Sequence, residues 1–111
     1  MKNRQPLLET DRKVILNYRS TIMLIGTLRN QISWNAAHQI PVSHLQEEIT
    51  QLKQELVSFE NVLASIQDRQ ERNIICCRYA LGMNTHETAY QLSISRATVG
   101  RICKHYFSSG R

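Results

Sequence analysis

A chain of 111 residues, 41% of them hydrophobic, supports one small domain, or a small domain with a helical appendage, and a modest core. Two Pro and four Gly argue against a loop-rich or disordered chain, and a net charge of +5 favours a polyanionic partner. The charge is unevenly spread: residues 1–42 carry six basic and two acidic side chains, residues 43–67 one and four, and residues 68–111 seven and three. Three cysteines, Cys76, Cys77 and Cys103, have no CxxC spacing and an odd total, which points away from a disulfide framework or a zinc site and fits a reducing setting. No apolar run approaches the roughly 20 residues of a membrane span, and Met1 to Glu9 lacks a signal-peptide apolar stretch, so a cytoplasmic protein without membrane contact is expected.

Residues through Glu9 are polar, contain Pro6 and are expected to fray. From Thr10 or Asp11 the recurrence of Ile15, Tyr18, Ile22, Ile25 and Ile32, with Val14 and Leu28 beside them, predicts a helix running to about Ser33. Gly26 lies inside it and permits close packing there. Trp34 to Pro41 reads as a connector, because proline disfavours helical geometry in the residue before it.

Ser43 followed by Gln46 has the spacing of a capping box and opens the most regular stretch of the chain. Its apolar positions, Leu45, Ile49, Leu52, Leu56, Phe59, Leu63 and Ile66, alternate spacings of four and three, a coiled-coil seam with Ile49, Leu56 and Leu63 at a. The seam either closes a helical hairpin within one chain or mediates oligomerisation. Charges leave the choice open, since in a parallel pair Glu48 meets Lys53 but Glu55 meets Glu60. Asp68 and Glu71 then start a further helix that Gly82 ends, with Ile74, Cys77 and Leu81 as its stripe and Ile75 and Tyr79 on the shoulder. Adjacent Cys76 and Cys77 cannot both face inward.

Thr85 to Lys104 reads as two short helices joined by a tight turn. Thr85 caps the first, Ala89 is small enough for a close crossing, and Leu92, Ile94, Val99 and Ile102 supply the contacts between the two. Ser95 caps the second, whose free face carries Arg96, Ala97, Thr98, Arg101 and Lys104. The expected architecture is all-α, with an N-terminal helical hairpin or coiled-coil oligomerisation region over 1–67 and a three-helix helix-turn-helix unit over 68–111.

The run Asp68-Arg69-Gln70-Glu71-Arg72-Asn73-Ile74-Ile75, then Arg78-Tyr79, Gly82, Glu87, Ala89, Leu92, Ile94-Ser95 and Thr98-Val99, resembles the helix-turn-helix of sigma-70 region 4. With the heptad segment upstream, the chain is similar to small phage and prophage transcriptional regulators of the RinA/ArpU type. The resemblance covers roughly residues 68–107 specifically, and residues 10–66 only in helical character. Two positions depart from the pattern: Ser93 stands where Gly is common in the turn, and Thr88 where a large apolar residue is usual. The resemblance implies activation of phage late or packaging genes, in the cytoplasm of a bacterial host, by a transcription factor and not an enzyme.

Arg96 and Ala97 occupy the first turn of the second helix, where Arg reads guanine and Ala meets a thymine methyl. Arg101 is placed to reach a base or a phosphate, Ser95, Thr98 and Lys104 suit phosphates, and Thr85 and His86 suit the DNA backbone. His38, His44, His86 and His105 are dispersed without ligand spacing, and no nucleophile motif, phosphate loop or carboxylate pair is present, so no metal, cofactor or catalysis is expected. The expected partners are double-stranded DNA, further copies of the chain and RNA polymerase. Two rival readings are the DNA-recognition subunit of a phage terminase and a protein-interaction module that binds a host factor without DNA.

Overall fold

The computed structural model describes residues 5–108, whose regular structure is entirely helical. The elements are α1 (Glu9–Leu16), α2 (Tyr18–Ala37), α3 (Ser43–Ala64), α4 (Arg69–Ile75, continuing as a π-helical segment Cys76–Ala80), α5 (Thr85–Leu92) and α6 (Arg96–Tyr106).

The single helix expected from Thr10 is two helices that meet at Asn17, and the second runs on through Ala37, beyond the predicted end at Ser33. Backbone bonds continue across the junction, from Asn17 N–H to Lys13 at 3.0 Å and from Thr21 N–H to Asn17 at 2.9 Å. The Thr21 hydroxyl also donates to the Asn17 carbonyl, at 3.0 Å. Such bonding back by one turn draws the carbonyl off the helix axis and bends the chain there. Gly26 plays no part in the break. It is exposed and a Cβ would meet nothing, so the close packing expected there does not occur within the chain. Its cost relative to Ala, about 1 kcal/mol, is not offset inside the molecule.

The predicted capping box at Ser43 does not form: Ser43 is already helical, and Val42 precedes the helix without a side-chain cap. The seam nevertheless lies on the inner side of α3. Leu45 and Ile49 are buried with Ile25 and Leu28 of α2, and Ile32, Leu52 and Leu56 border them. What meets the proposed oligomerisation residues Leu45, Ile49, Leu52 and Leu56 is therefore α2 of the same chain. Phe59 stacks on Tyr18 with ring centroids 4.0 Å apart, and Phe59 and Ile66, with Leu63 at the margin, belong to a second core. Ile22 departs from its predicted stripe and is exposed. Thr21 is buried in its place and donates to Glu55 of α3 at 3.2 Å.

The second core draws on both sides of residue 67. Leu7, Ile15, Phe59 and Ile66 are buried together with Ile74, Ile75, Ala89, Val99, Ile102 and Tyr106, so the C-terminal helices share one interior with the N-terminal half. Of the leading segment expected to fray, residues 1–4 lie outside the described residues. Residues 5–8 have no regular structure, Leu7 is buried, and Leu8 is extended where it leads into α1.

Asp68 caps α4 as predicted, accepting from Glu71 N–H at 2.9 Å. The π-helical segment that follows carries more residues per turn than an α-helix and shifts the register of everything after it. Ile74, Ile75 and Cys77 point inward, while Leu81 leaves its expected stripe and is 61% exposed. Gly82 adopts φ +71°, a left-handed conformation, and the Arg19 guanidinium occupies the space that a Cβ would need.

Overall extents are 59 × 27 × 21 Å and the radius of gyration is 17.3 Å, against about 13 Å for a compact domain of this length. The excess length comes from the α2–α3 hairpin, whose separate small core makes it an arm projecting from the C-terminal unit.

Candidate nucleic-acid interface

The site is built on α5 and α6. The first cap lies one residue ahead of the predicted Thr85: the Asn84 side chain accepts from Glu87 N–H at 2.7 Å, and the Glu87 carboxylate accepts from Asn84 N–H at 2.8 Å. Thr85 is thus the first helical residue and half-buried, with exposed His86 beside it. The helix ends on Ser93, which takes the left-handed conformation (φ 58°, ψ 46°) where glycine is the easier choice. Ile94 N–H reaches back to the Ala89 carbonyl at 3.0 Å and closes the turn.

Ser95 caps α6, its hydroxyl accepting from Thr98 N–H at 3.1 Å and sharing a further bond of 2.8 Å with the Thr98 hydroxyl. Both hydroxyls are therefore engaged locally, which weakens the case for Ser95 and Thr98 as phosphate ligands. Val99, Ile102 and Tyr106 are buried on the inner side of α6. On the outer side Arg96, Ala97, Arg101 and Lys104 are exposed, separated from the buried stripe by the helical period. No ion pair among the described residues engages Arg96, Arg101 or Lys104, and the Glu87 carboxylate is engaged in the cap.

Behind this face, Arg78 braces the unit. Its guanidinium donates to the Met83 carbonyl at 2.8 Å and lies 5.1 Å from the Tyr79 ring centre, and Tyr79 stacks on Phe107 at 4.4 Å. Cys103 lies against Arg78 and Tyr79, and burial pushes its thiol up despite the nearby guanidinium. Burial likewise raises Cys76 and Cys77, the latter also through its neighbour Cys76. These thiols are protonated, packed groups at neutral pH. Among the described residues no three His, Cys, Asp or Glu side chains are placed to hold a metal ion.

The structure brings His86, Ser95 and Arg96 to one open groove between α5 and the start of α6, with Tyr90 and Ser93 completing it. Arg101 and Lys104 continue from that groove along α6. A separate concavity is lined by Asp11, Asp68 and Glu71 among others, away from the basic face of α6.

Sequence reasoning missed two residues. Tyr90 is 84% exposed on the groove wall, one turn after His86, and this spacing was the available signal. Gly100 is exposed beside Ala97 and Arg101, and a Cβ there would meet nothing. Together Ala97 and Gly100 leave the middle of the basic face low. Comparison with protein-family models, with curated proteins and with solved structures found no match, so the site is read from its own residues.

Proposed function

We propose that α6 is a recognition helix that enters the major groove of double-stranded DNA, and that the protein is a sequence-specific transcriptional regulator acting as a homo-oligomer. The observation that carries the reading is the exposed face of a capped helix with three cations that form no ion pair with the described residues, around a low centre of Ala97 and Gly100. In this reading Arg96 and Ala97 meet base edges, Arg101 and Lys104 extend the contact, and His86 and Tyr90 flank the sugar-phosphate backbone. The resemblance to RinA/ArpU-type regulators adds phage late or packaging genes as targets, and regulation runs through RNA polymerase as a further partner.

Selection of bound duplexes from a random pool, followed by a salt series on the selected site, tests this. A recovered motif with affinity falling steeply as salt rises supports it. Absence of affinity for any duplex at low salt overturns it in favour of a protein-interaction module. Binding that occurs only alongside assembly with a packaging ATPase moves the function to a terminase subunit.

A further inference from the structure

The arm has a second face, which α3 does not cover: Ile22 and Met23 border Ala80 at one end, and Trp34 stacks on His38 of the same chain at the other, with ring centroids 3.9 Å apart. Between Arg19 and Glu47 the only formally charged side chain is Arg29, in a chain that is 21% charged overall. Apolar groups nonetheless surround α2. Ile25, Leu28 and Ile32 face α3, whereas Met23 and Trp34 are 70% and 57% exposed and Ile22 and Leu24 are also exposed. A helix that is apolar on more than one side belongs between two partners. Met23, Gly26, Asn30 and Trp34, spaced by three, four and four, form a line along the side of α2 away from α3. At its centre is Gly26, with open space where a Cβ would stand.

We infer that this outer face of α2 joins two copies of the chain, antiparallel, about a two-fold axis beside Thr27 and Asn30. In that register Met23 of one copy meets Trp34 of the other, a thioether against an indole, twice over. Gly26 and Thr27 let the two backbones approach closely at the middle. An uncharged line of this kind offers nothing to a phosphate, yet it pairs with itself without repulsion, and depletion of charge with enrichment of Met and Trp is the composition of an interface centre. An isologous contact needs only such a self-complementary patch. The 20 residues of α2 provide about 30 Å of length. A helix pair of that length buries on the order of 1,000 Å², the lower end for specific interfaces, so the dimer is reversible. This deepens the homo-oligomer part of the proposed function and moves its contact from the α3 seam, which α2 already covers, to the other side of α2.

Trp34 is the only tryptophan and reports directly on the contact. Sedimentation equilibrium of the full chain without DNA, over a rising concentration series, should approach twice 12.9 kDa, with Trp34 emission shifting to shorter wavelength in parallel. Met23→Asp and Gly26→Leu should each weaken self-association by at least tenfold while circular dichroism is unchanged. Gly26→Leu favours the helix itself, so one variant retains its fold. A monomer at every concentration, or a dimer of equal strength in both variants, overturns the inference. A wild-type dimer without affinity for duplex DNA would sink the DNA reading and leave this interface standing; a DNA-binding monomer would do the reverse.

Discussion

The backbone N–H of Leu7 donates to the carbonyl of Tyr106 at 3.0 Å, joining the segment that precedes α1 to the last residue of α6. Arg12 strengthens this junction, its guanidinium donating to the carbonyls of Leu7 at 2.6 Å and Ser108 at 3.0 Å. The C-terminal end of α6 is thus held by residues almost the whole chain away. Leu7→Ala should destabilise the protein by about 2–3 kcal/mol, as for other buried leucines, and Arg12→Ala should lower the thermal midpoint. A fragment spanning residues 68–111 lacks Leu7, Ile15, Phe59 and Ile66 and should show no cooperative unfolding. Cooperative melting of that fragment would mean that the C-terminal helices do not need the shared core.

Thr88 is fully buried, and its hydroxyl has no hydrogen-bond partner among the described residues. Leaving a polar group unsatisfied in an interior is costly, and valine has nearly the same shape without it. Thr88→Val should raise stability by about 1 kcal/mol in urea denaturation. A loss of stability would reveal a partner for the hydroxyl in solution.

Much of this arrangement was legible because local chemistry and global packing agree. Asp68, Ser95 and Gly82 punctuate the C-terminal helices as expected, and the Leu45–Ile66 stripe lies inward. Where reading failed, the reasons are physical. Leu81 was lost because a π-helical segment changes the period midway, which no apolar stripe announces. Thr85 suits a cap by residue type alone, but only Asn84 stands three residues before a glutamate, the spacing that lets both ends of a cap bond reciprocally. The seam read as one unit divides between two cores, because the arm ends where Phe59 and Ile66 turn to meet Ile74 and Ile75. Tyr90 and Gly100 carry no charge, so neither stands out in a basic stripe until the fold places them beside it.

Ser93 supplies a test of the turn. A non-glycine residue in the left-handed region is disfavoured by about 1–2 kcal/mol relative to glycine, and Ser93 has φ 58°. Ser93→Gly should stabilise the protein by about 0.5–1 kcal/mol after the added freedom of the unfolded chain is discounted. Ser93→Val should destabilise it while leaving the direction of α6 to the Ser95 cap. Equal stability of the Gly and Val variants would show that the turn relaxes in solution.

Alkaline pH tests the packing behind α6. Burial raises the thiols of Cys76, Cys77 and Cys103, and burial followed by the charge of Cys103 raises the phenol of Tyr79. Each group is thus easier to ionise in the unfolded chain than in the folded one. The stability they provide is complete below the ordinary thiol value and declines as pH rises above about 8.5. Urea midpoints should therefore fall through the alkaline range, and Cys103→Ala should flatten part of that fall. A midpoint that rises with pH in this range would mean that the ionised thiol is the favoured folded form.

The sharpest test of the proposed function separates reading from positioning on α6. Arg96 stands at the first helical position beside the groove, where a guanidinium can take guanine O6 and N7 together. Arg96→Ala should cost about 1–3 kcal/mol on the selected duplex and relax preference at one base pair. Lys104 lies eight residues further along, on the same exposed side but beyond the turns that approach base edges. Lys104→Ala should weaken all duplexes alike and reduce the slope of log affinity against log salt by about 1. Neither side chain has an ion-pair partner among the described residues, so both variants should keep their fold. Binding of each to the selected site and its single-base variants across a salt series distinguishes the roles. Equal, sequence-independent losses from both substitutions would make α6 a phosphate-binding face without base reading. No loss from either at low salt would remove α6 from the interface altogether.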